Sequence, residues 1–184
     1  SDETKRSMRG QAYAALEKWG DAIEDLEIAR KAKPTSAILD QLARSYYELG
    51  YYDKALPVLG EAVKAAPTNA TIRLMETNTL LNLGAESKND ADKEKYYDRA
   101  KASATEFKKL KPNDKDAHNL LGRAALGAQD YIVAEQSFRK VLAIDSNHCY
   151  AMSNLGKTYI ALKRWSDAET NLTDATKCAP RMAV

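Results

Sequence analysis

Apolar and polar positions along this chain recur in two interleaved sets rather than in the strict alternation of a strand. In one set an alanine stands at Ala22, Ala55, Ala100, Ala134 and Ala168, with an aromatic three residues earlier at Trp19, Tyr52, Tyr97, Tyr131 or Trp165. Twelve residues after each alanine comes Pro34, Pro67, Pro112, Ser146 or Pro180. Between alanine and stop lie the pairs Leu26 and Ala29, Leu59 and Ala62, Ala104 and Phe107, Phe138 and Val141, and Leu172 and Ala175. The second set is Gly10, Ala43, Thr77, Gly122 and Gly156, followed after three residues by Tyr13, Tyr46, Leu80, Ala125 and Tyr159. Leu, Ala, Lys and Glu abound while Gly and Pro are few, so summed propensity favours helix throughout. The pattern predicts an all-α chain of five units, each a helix, a turn, a second helix and a stop.

The alanine set steps by 33, 45, 34 and 34 residues and the glycine set by 33, 34, 45 and 34. The long step has moved, so about eleven extra residues lie inside the third unit, at 85–95. Gly84 is expected to close that unit's first helix as Gly50 closes the second unit's. The predicted units are 3–35, 36–69, 70–114, 115–148 and 149–182, within a single domain of 1–184. Small residues on both helices of a unit let two antiparallel backbones approach to about 8 Å. The aromatic fills the space beside the turn, and proline ends the second helix because it has no N–H for the ladder. Thr68, Asn69, Asn113, Asp114 and Asn147 offer side-chain oxygens to cap the helices that follow.

Composition changes little. A chain 44% hydrophobic and 29% charged suits a folded protein, and a formal net charge of +2 does not point to nucleic acid or an anionic membrane. No stretch approaches the roughly 18–20 apolar residues that cross a bilayer, so no membrane insertion is expected. The chain opens at Ser1 with its first methionine at Met8, which reads as a processed form or a piece of something longer. Its compartment stays open.

The pattern W-x2-L-G-x2-Y, A-x3-F, A and P resembles the tetratricopeptide repeat, carried best by Leu155, Gly156, Tyr159, Ala168, Leu172, Ala175 and Pro180. Five units in register extend the resemblance over the whole chain. Departures are Arg9 and Glu76 where Leu is usual, Thr77 for the small residue, Ala125 for Tyr, and Ser146 for Pro. The resemblance implies a right-handed superhelical α-α solenoid, with first helices lining a concave groove and second helices forming the outer wall. Chaperone-tail binders of the family use Lys and Asn on three first helices. Here Ser7, Gln11, Gln41, Thr71 and Met75 occupy those places, and windows shifted along the chain put Asp40 or Leu74 at the first Lys, so that clamp is missing.

If the small residues face the partner helix, the next residue lies towards the groove: Gln11, Arg44, Asn78, Arg123 and Lys157. This polar row suits a protein or peptide with acidic or extended segments, since Arg can grip a carboxylate through two parallel bonds. Ala14, Tyr47, Leu81, Leu126 and Ile160 stand three residues further on, and Tyr150 opens the last first-helix. Tyr47 and Tyr150 are the candidate anchors. The aliphatic members read as packing between repeats.

The insertion, Ala85 to Lys95, has no large apolar residue, so it lengthens its two helices or forms a mobile loop. Asp90-Ala-Asp92 looks like the start of a calcium loop, but the required Gly is missing and Lys101 stands where the bidentate Glu belongs. Seven basic residues against three acidic ones between Lys95 and Lys115 read as a solvated outer face. Arg181 to Val184 sit where a further helix would start, so either the parent chain continues or this end self-associates. Cys149 and Cys178 fall at the same end of the last hairpin and are expected as two small, partly buried residues rather than a disulfide. Neither His118 nor His148 has a metal-binding spacing and no Gly-rich phosphate loop occurs, so no enzyme, metal or cofactor is expected. The function expected is a protein-interaction scaffold organising a multiprotein assembly. The alternatives are a nucleic-acid-binding array, which is disfavoured, and the regulatory arm of an enzyme.

Overall fold

A computed structural model of the chain describes residues 2–178, and among these there are ten helices and no strand. Contacts divide the chain into two compact units with the boundary between Glu86 and Ser87. The first contains α1 (Asp2–Ala15), α2 (Trp19–Ala32), α3 (Ser36–Glu48), α4 (Tyr52–Ala65) and α5 (Ala70–Glu86). The second contains α6 (Asp90–Leu110), α7 (Lys115–Gly127), α8 (Tyr131–Ile144), α9 (Cys149–Ala161) and α10 (Trp165–Cys178). In the first unit α1 packs on α2 and α3 on α4, with α5 laid against α4 and α3. In the second, α7 pairs with α8 and α9 with α10, and α6 packs on α7. The fold class is all-α, a helical-repeat solenoid. Pro180 and the residues Arg181 to Val184 lie outside the described residues.

The small columns do what their size permits. Ala22, Ala55, Ala100, Ala134 and Ala168 are all buried. A Cβ added at Gly10 would meet Leu26 at 2.9 Å, one at Gly122 would meet the Phe138 ring at 2.6 Å, and one at Gly156 would meet Leu172 at 2.6 Å. The first helix of each of these hairpins therefore rests directly on the large residue of its partner. Thr77 fits the same column by donating its hydroxyl to the Arg73 carbonyl at 2.9 Å. A further buried column runs through Ser45, Thr79, Ala124 and Thr158. Its hydroxyls donate to the carbonyls of Gln41, Met75 and Asn154, each at 2.8 Å, so a polar side chain costs the core no orphaned group.

Four hairpin turns share one geometry. Glu17, Gly50, Gln129 and Lys163, each five residues before its column alanine, take φ of +57°, +74°, +60° and +58°. The next residue then donates back over the turn, from Lys18 to the Tyr13 carbonyl and from Tyr51 to that of Tyr46 at 2.9 Å, and from Asp130 to Ala125 and Arg164 to Tyr159 at 2.8 Å. This is the Schellman closure, which needs one left-handed residue. The second helices α2 and α8 stop at extended caps, Lys33 before Pro34 and Asp145 before Ser146, so the missing proline there leaves the stop intact. Asn69 and Asp114 cap as expected. Thr35, Asn89 and His148 also cap α3, α6 and α9.

Two expectations are corrected. Gly84 does not close a helix: it is buried inside α5, which runs on to Glu86. α5 has 17 residues where α3, α7 and α9 have 13, and α6 has 21 where the other second helices have 14. The extra residues thus continue both helices, because Ala85, Glu86 and the Asp90–Lys95 stretch lack the left-handed residue that would turn the chain. Asp90 and Asp92 consequently lie in the first turn of α6, not in a cation-binding loop. Second, Cys149 and Cys178 form a disulfide with Cα atoms 5.5 Å apart. Antiparallel packing of α9 on α10 brings the two ends within the span a disulfide bridges.

Gly122→Ala should destabilise the chain by about 1–3 kcal/mol in urea unfolding, because the enclosed Phe138 ring has nowhere to go. Gln129→Gly and Lys163→Gly should each stabilise by about 0.5–1 kcal/mol. A left-handed non-glycine residue costs about 1–2 kcal/mol, more than the extra unfolded-chain entropy of glycine, about 0.4–1 kcal/mol.

Candidate functional site

Each unit carries its own share of the row that follows the small column. In the first unit Gln11 lies on α1, Arg44 and Tyr47 on α3, and Asn78 on α5; in the second, Arg123 lies on α7 and Tyr150 and Lys157 on α9. Their states differ. Gln11 donates to the Ser7 hydroxyl at 3.1 Å and borders a cavity of about 510 Å³ shared with Lys33, Thr35 and Ile38. Asn78 turns its amide onto the Leu74 carbonyl at 3.2 Å. Tyr47 is half-buried against the core and meets the Tyr52 ring edge-on at 5.5 Å, so part of its surface is already used. Tyr150 stands 64% exposed, and Arg123 and Lys157 are exposed. Leu81 is packed away, whereas Ile160 is 43% exposed and not the packing residue its spacing suggests.

The cations of this row make no close ion pair with a described residue. Among the described residues, Arg44, Arg123 and Lys157 have no carboxylate within ion-pair distance. Asp40, one turn before Arg44, has its carboxyl pushed up by burial, and the Arg44 charge opposes that shift. Burial raises the Tyr97 phenol in the same way, against the nearby Arg123. Tyr97 packs on Gly127, where a Cβ would fall within its ring.

Other arginines are neutralised. Arg30 bridges Glu61 and Glu27, the latter also accepting from the Tyr46 hydroxyl at 3.0 Å. Burial and Glu27 together push that phenol up to about 12. Arg164 lies 4.4 Å from the centre of the Tyr159 ring and pairs with Glu135 at 3.0 Å, while Tyr159 donates to Glu135 at 3.3 Å. Arg73 pairs with Glu76 at 3.1 Å, which accommodates the carboxylate where Leu is usual.

The Arg9 departure has a matching partner. Asp25, almost completely buried on α2, accepts from Arg9 Nε at 2.6 Å and Nη2 at 2.7 Å, with Arg6 at 3.5 Å. The equivalent positions are Val58, Ser103, Ser137 and Asn171, so one repeat carries two departures that compensate each other. Sequence reasoning registered Arg9 alone. The hydrogen bonds from Arg9 hold the Asp25 carboxyl below the usual aspartate range against the opposing effect of burial.

No group of three or more His, Cys, Asp or Glu suited to a metal occurs among the described residues. Both histidines have structural contacts: His118 Nε2 lies 2.9 Å from the Pro112 carbonyl, and His148 Nδ1 accepts from the Ala151 N–H at 3.1 Å. No helix among the described residues is long and apolar enough to cross a membrane.

This architecture is that of a tetratricopeptide-repeat protein. Models of the tetratricopeptide repeat match residues 36–76 and 89–148, and the chain belongs to that family. Among solved structures it is similar to MamA MSR-1, with a TM-score of 0.81 and 17% identity over 99% of each chain. Similar too is MamA AMB-1, with a TM-score of 0.78 and 18% identity over 96% of this chain and 98% of that one. The thermophilic TPR protein TTC0263 of Thermus thermophilus gives 0.63 and 21% over 97% and 92%. No curated protein matches the sequence. The repeat is of the protein-interaction type, and it supports a scaffold role in general terms.

A carboxylate with a lowered folded-state pKa contributes its full stability above the ordinary aspartate value of about 4 and loses it as pH falls through the lowered one. Stability should therefore drop below about pH 4 through Asp25. In Asp25→Asn that contribution should be missing at neutral pH and the acid limb correspondingly flatter, as read by urea midpoints between pH 7 and pH 3.

Proposed function

We propose that the chain holds partner polypeptide against the first-helix faces of each unit, with Arg44 in the first unit, and Arg123 and Lys157 in the second, meeting carboxylates or backbone carbonyls and Tyr150 supplying an apolar contact in the second. The observation that carries this reading is that, among the described residues, the cations after the small column have no carboxylate within ion-pair distance, whereas Arg9, Arg30, Arg73 and Arg164 are paired. An unpaired guanidinium needs no internal bond broken before it engages a carboxylate, so more of the contact energy is available for binding. Tyr150 and Ile160 add exposed apolar surface on α9 beside Lys157, the composition of an anchor with a polar rim. Holding partner polypeptide in this way would suit the chain to organising a multiprotein assembly.

Short fluorescent peptides rich in Glu and Asp provide the probe. Reversal of both arginines in Arg44→Glu/Arg123→Glu should weaken binding about tenfold or more while leaving thermal unfolding nearly unchanged. Equal affinity in the variant would reject these first-helix faces as the binding surface. RNA binding that falls steeply with salt, with no peptide binding, would favour a nucleic-acid array instead.

A further inference from the structure

The last hairpin is the one whose two helices are joined covalently, and it is also thinly packed. Of the 14 residues of α10 only Ala168 and Ala175 are buried, against Ala134, Ser137, Phe138 and Val141 in the equivalent α8. Leu172 is half-buried and Trp165 is 63% exposed, although the corresponding Trp19, Tyr52, Tyr97 and Tyr131 are all half-buried. The rest of α10 is largely Ser, Thr, Asn, Asp and Glu facing water. Apolar burial scales with the area removed from water, and among the described residues α10 packs on α9, whereas α8 packs on both α7 and α9, so α10 has less packing of its own. The Cys149–Cys178 bond ties its far end to the first residue of α9 across a sequence separation of 29.

We propose that this disulfide is a redox-operated clasp: oxidised, it keeps α10 docked on α9; reduced, it lets α10 open locally while the rest of the second unit stays folded. Both cysteines are only partly buried, so a thiolate can reach the bond. A small-molecule or protein thiol attacks one sulfur to give a mixed disulfide, and a second thiol displaces it. Two electrons and two protons pass to the protein, leaving Cys149 and Cys178 as thiols and the reductant as its own disulfide. The clasp sits beside two features that depend on where α9 begins. His148 caps Ala151, and Tyr150, next to Cys149, is an exposed member of the proposed binding face. The bond removes open conformations of the hairpin rather than adding contacts, which is why its effect should be concentrated in the helix with the least packing of its own. A bond of this kind persists where the surroundings are oxidising and opens where they are not.

Amide hydrogen exchange of the whole chain, followed by mass spectrometry before and after reduction with a phosphine, tests this without any partner. Reduction should speed exchange in 165–178 about ten- to hundredfold and leave 115–144 unchanged. The Cys149→Ser/Cys178→Ser variant should behave like the reduced protein and be indifferent to the phosphine. Three results would each overturn the proposal: two titratable thiols persisting after incubation in a glutathione buffer poised to oxidise, unchanged exchange in α10 on reduction, or faster exchange spread evenly over the second unit.

Discussion

Close approach of two helix backbones is the constraint on which the rest of this structure depends. Where Gly10, Gly122 and Gly156 face Leu26, Phe138 and Leu172, the space left for a side chain on the first helix is less than one methyl group. That lack of room lets a single bulky residue on the second helix fill the hairpin's interior, and the buried alanines of the other column admit the first helix in return. Dense packing of this sort tolerates little change in volume, so a column can admit a threonine only if its hydroxyl is satisfied within its own helix, as at Thr77.

Joining one hairpin to the next is a different problem, and polar chemistry solves part of it. Tyr46 on α3 reaches back to Glu27 on α2, and Tyr159 on α9 reaches back to Glu135 on α8; in each case the carboxylate is also held by arginine. The phenol spans the distance between successive hairpins while its ring stays in the core, a use of the amphipathic side chain open to neither Leu80 nor Ala125. In the first repeat the exchange of a Leu for Arg9 is made tolerable by Asp25, because a buried carboxylate with two short charge-assisted bonds is far less costly than one without.

What could be read from the sequence was whatever repeats. The alanine, glycine and aromatic columns marked the succession of helices, and five alanines occupy the buried positions their spacing implied. Features peculiar to one repeat were harder to read. Gly84 sits where a turn glycine would sit, yet a glycine also packs inside a helix, and no property of the residue alone separates the two roles. The left-handed turn column was hidden because three of its four members, Glu17, Gln129 and Lys163, are not glycine. The Ser45, Thr79 and Thr158 column was hidden because hydroxyl residues look like surface until their back-bonding is known. Cys149 and Cys178 could be placed near one another from the antiparallel hairpin, but their distance, which decides bonding, depends on the exact entry of α9. The first-helix row could be enumerated; which of its members are free and which, like Asn78, are turned onto the backbone required coordinates.

These observations divide the surface by the state of its charges. Arg30, Arg139 and Arg164 are engaged with Glu27, Glu61 and Glu135 on the second helices, so those cations support packing and offer little to a partner. Along the first helices, among the described residues, Arg44, Arg123 and Lys157 make no such pair, while Gln11 and Asn78 bond within their own helices. A long cation can reach water with its N–H groups, whereas the shorter amides of Gln11 and Asn78 find acceptors one turn back. The packing rule that requires a small residue at one position leaves the next one polar in all five repeats, and side-chain length then sets whether that polarity is spent inside the helix.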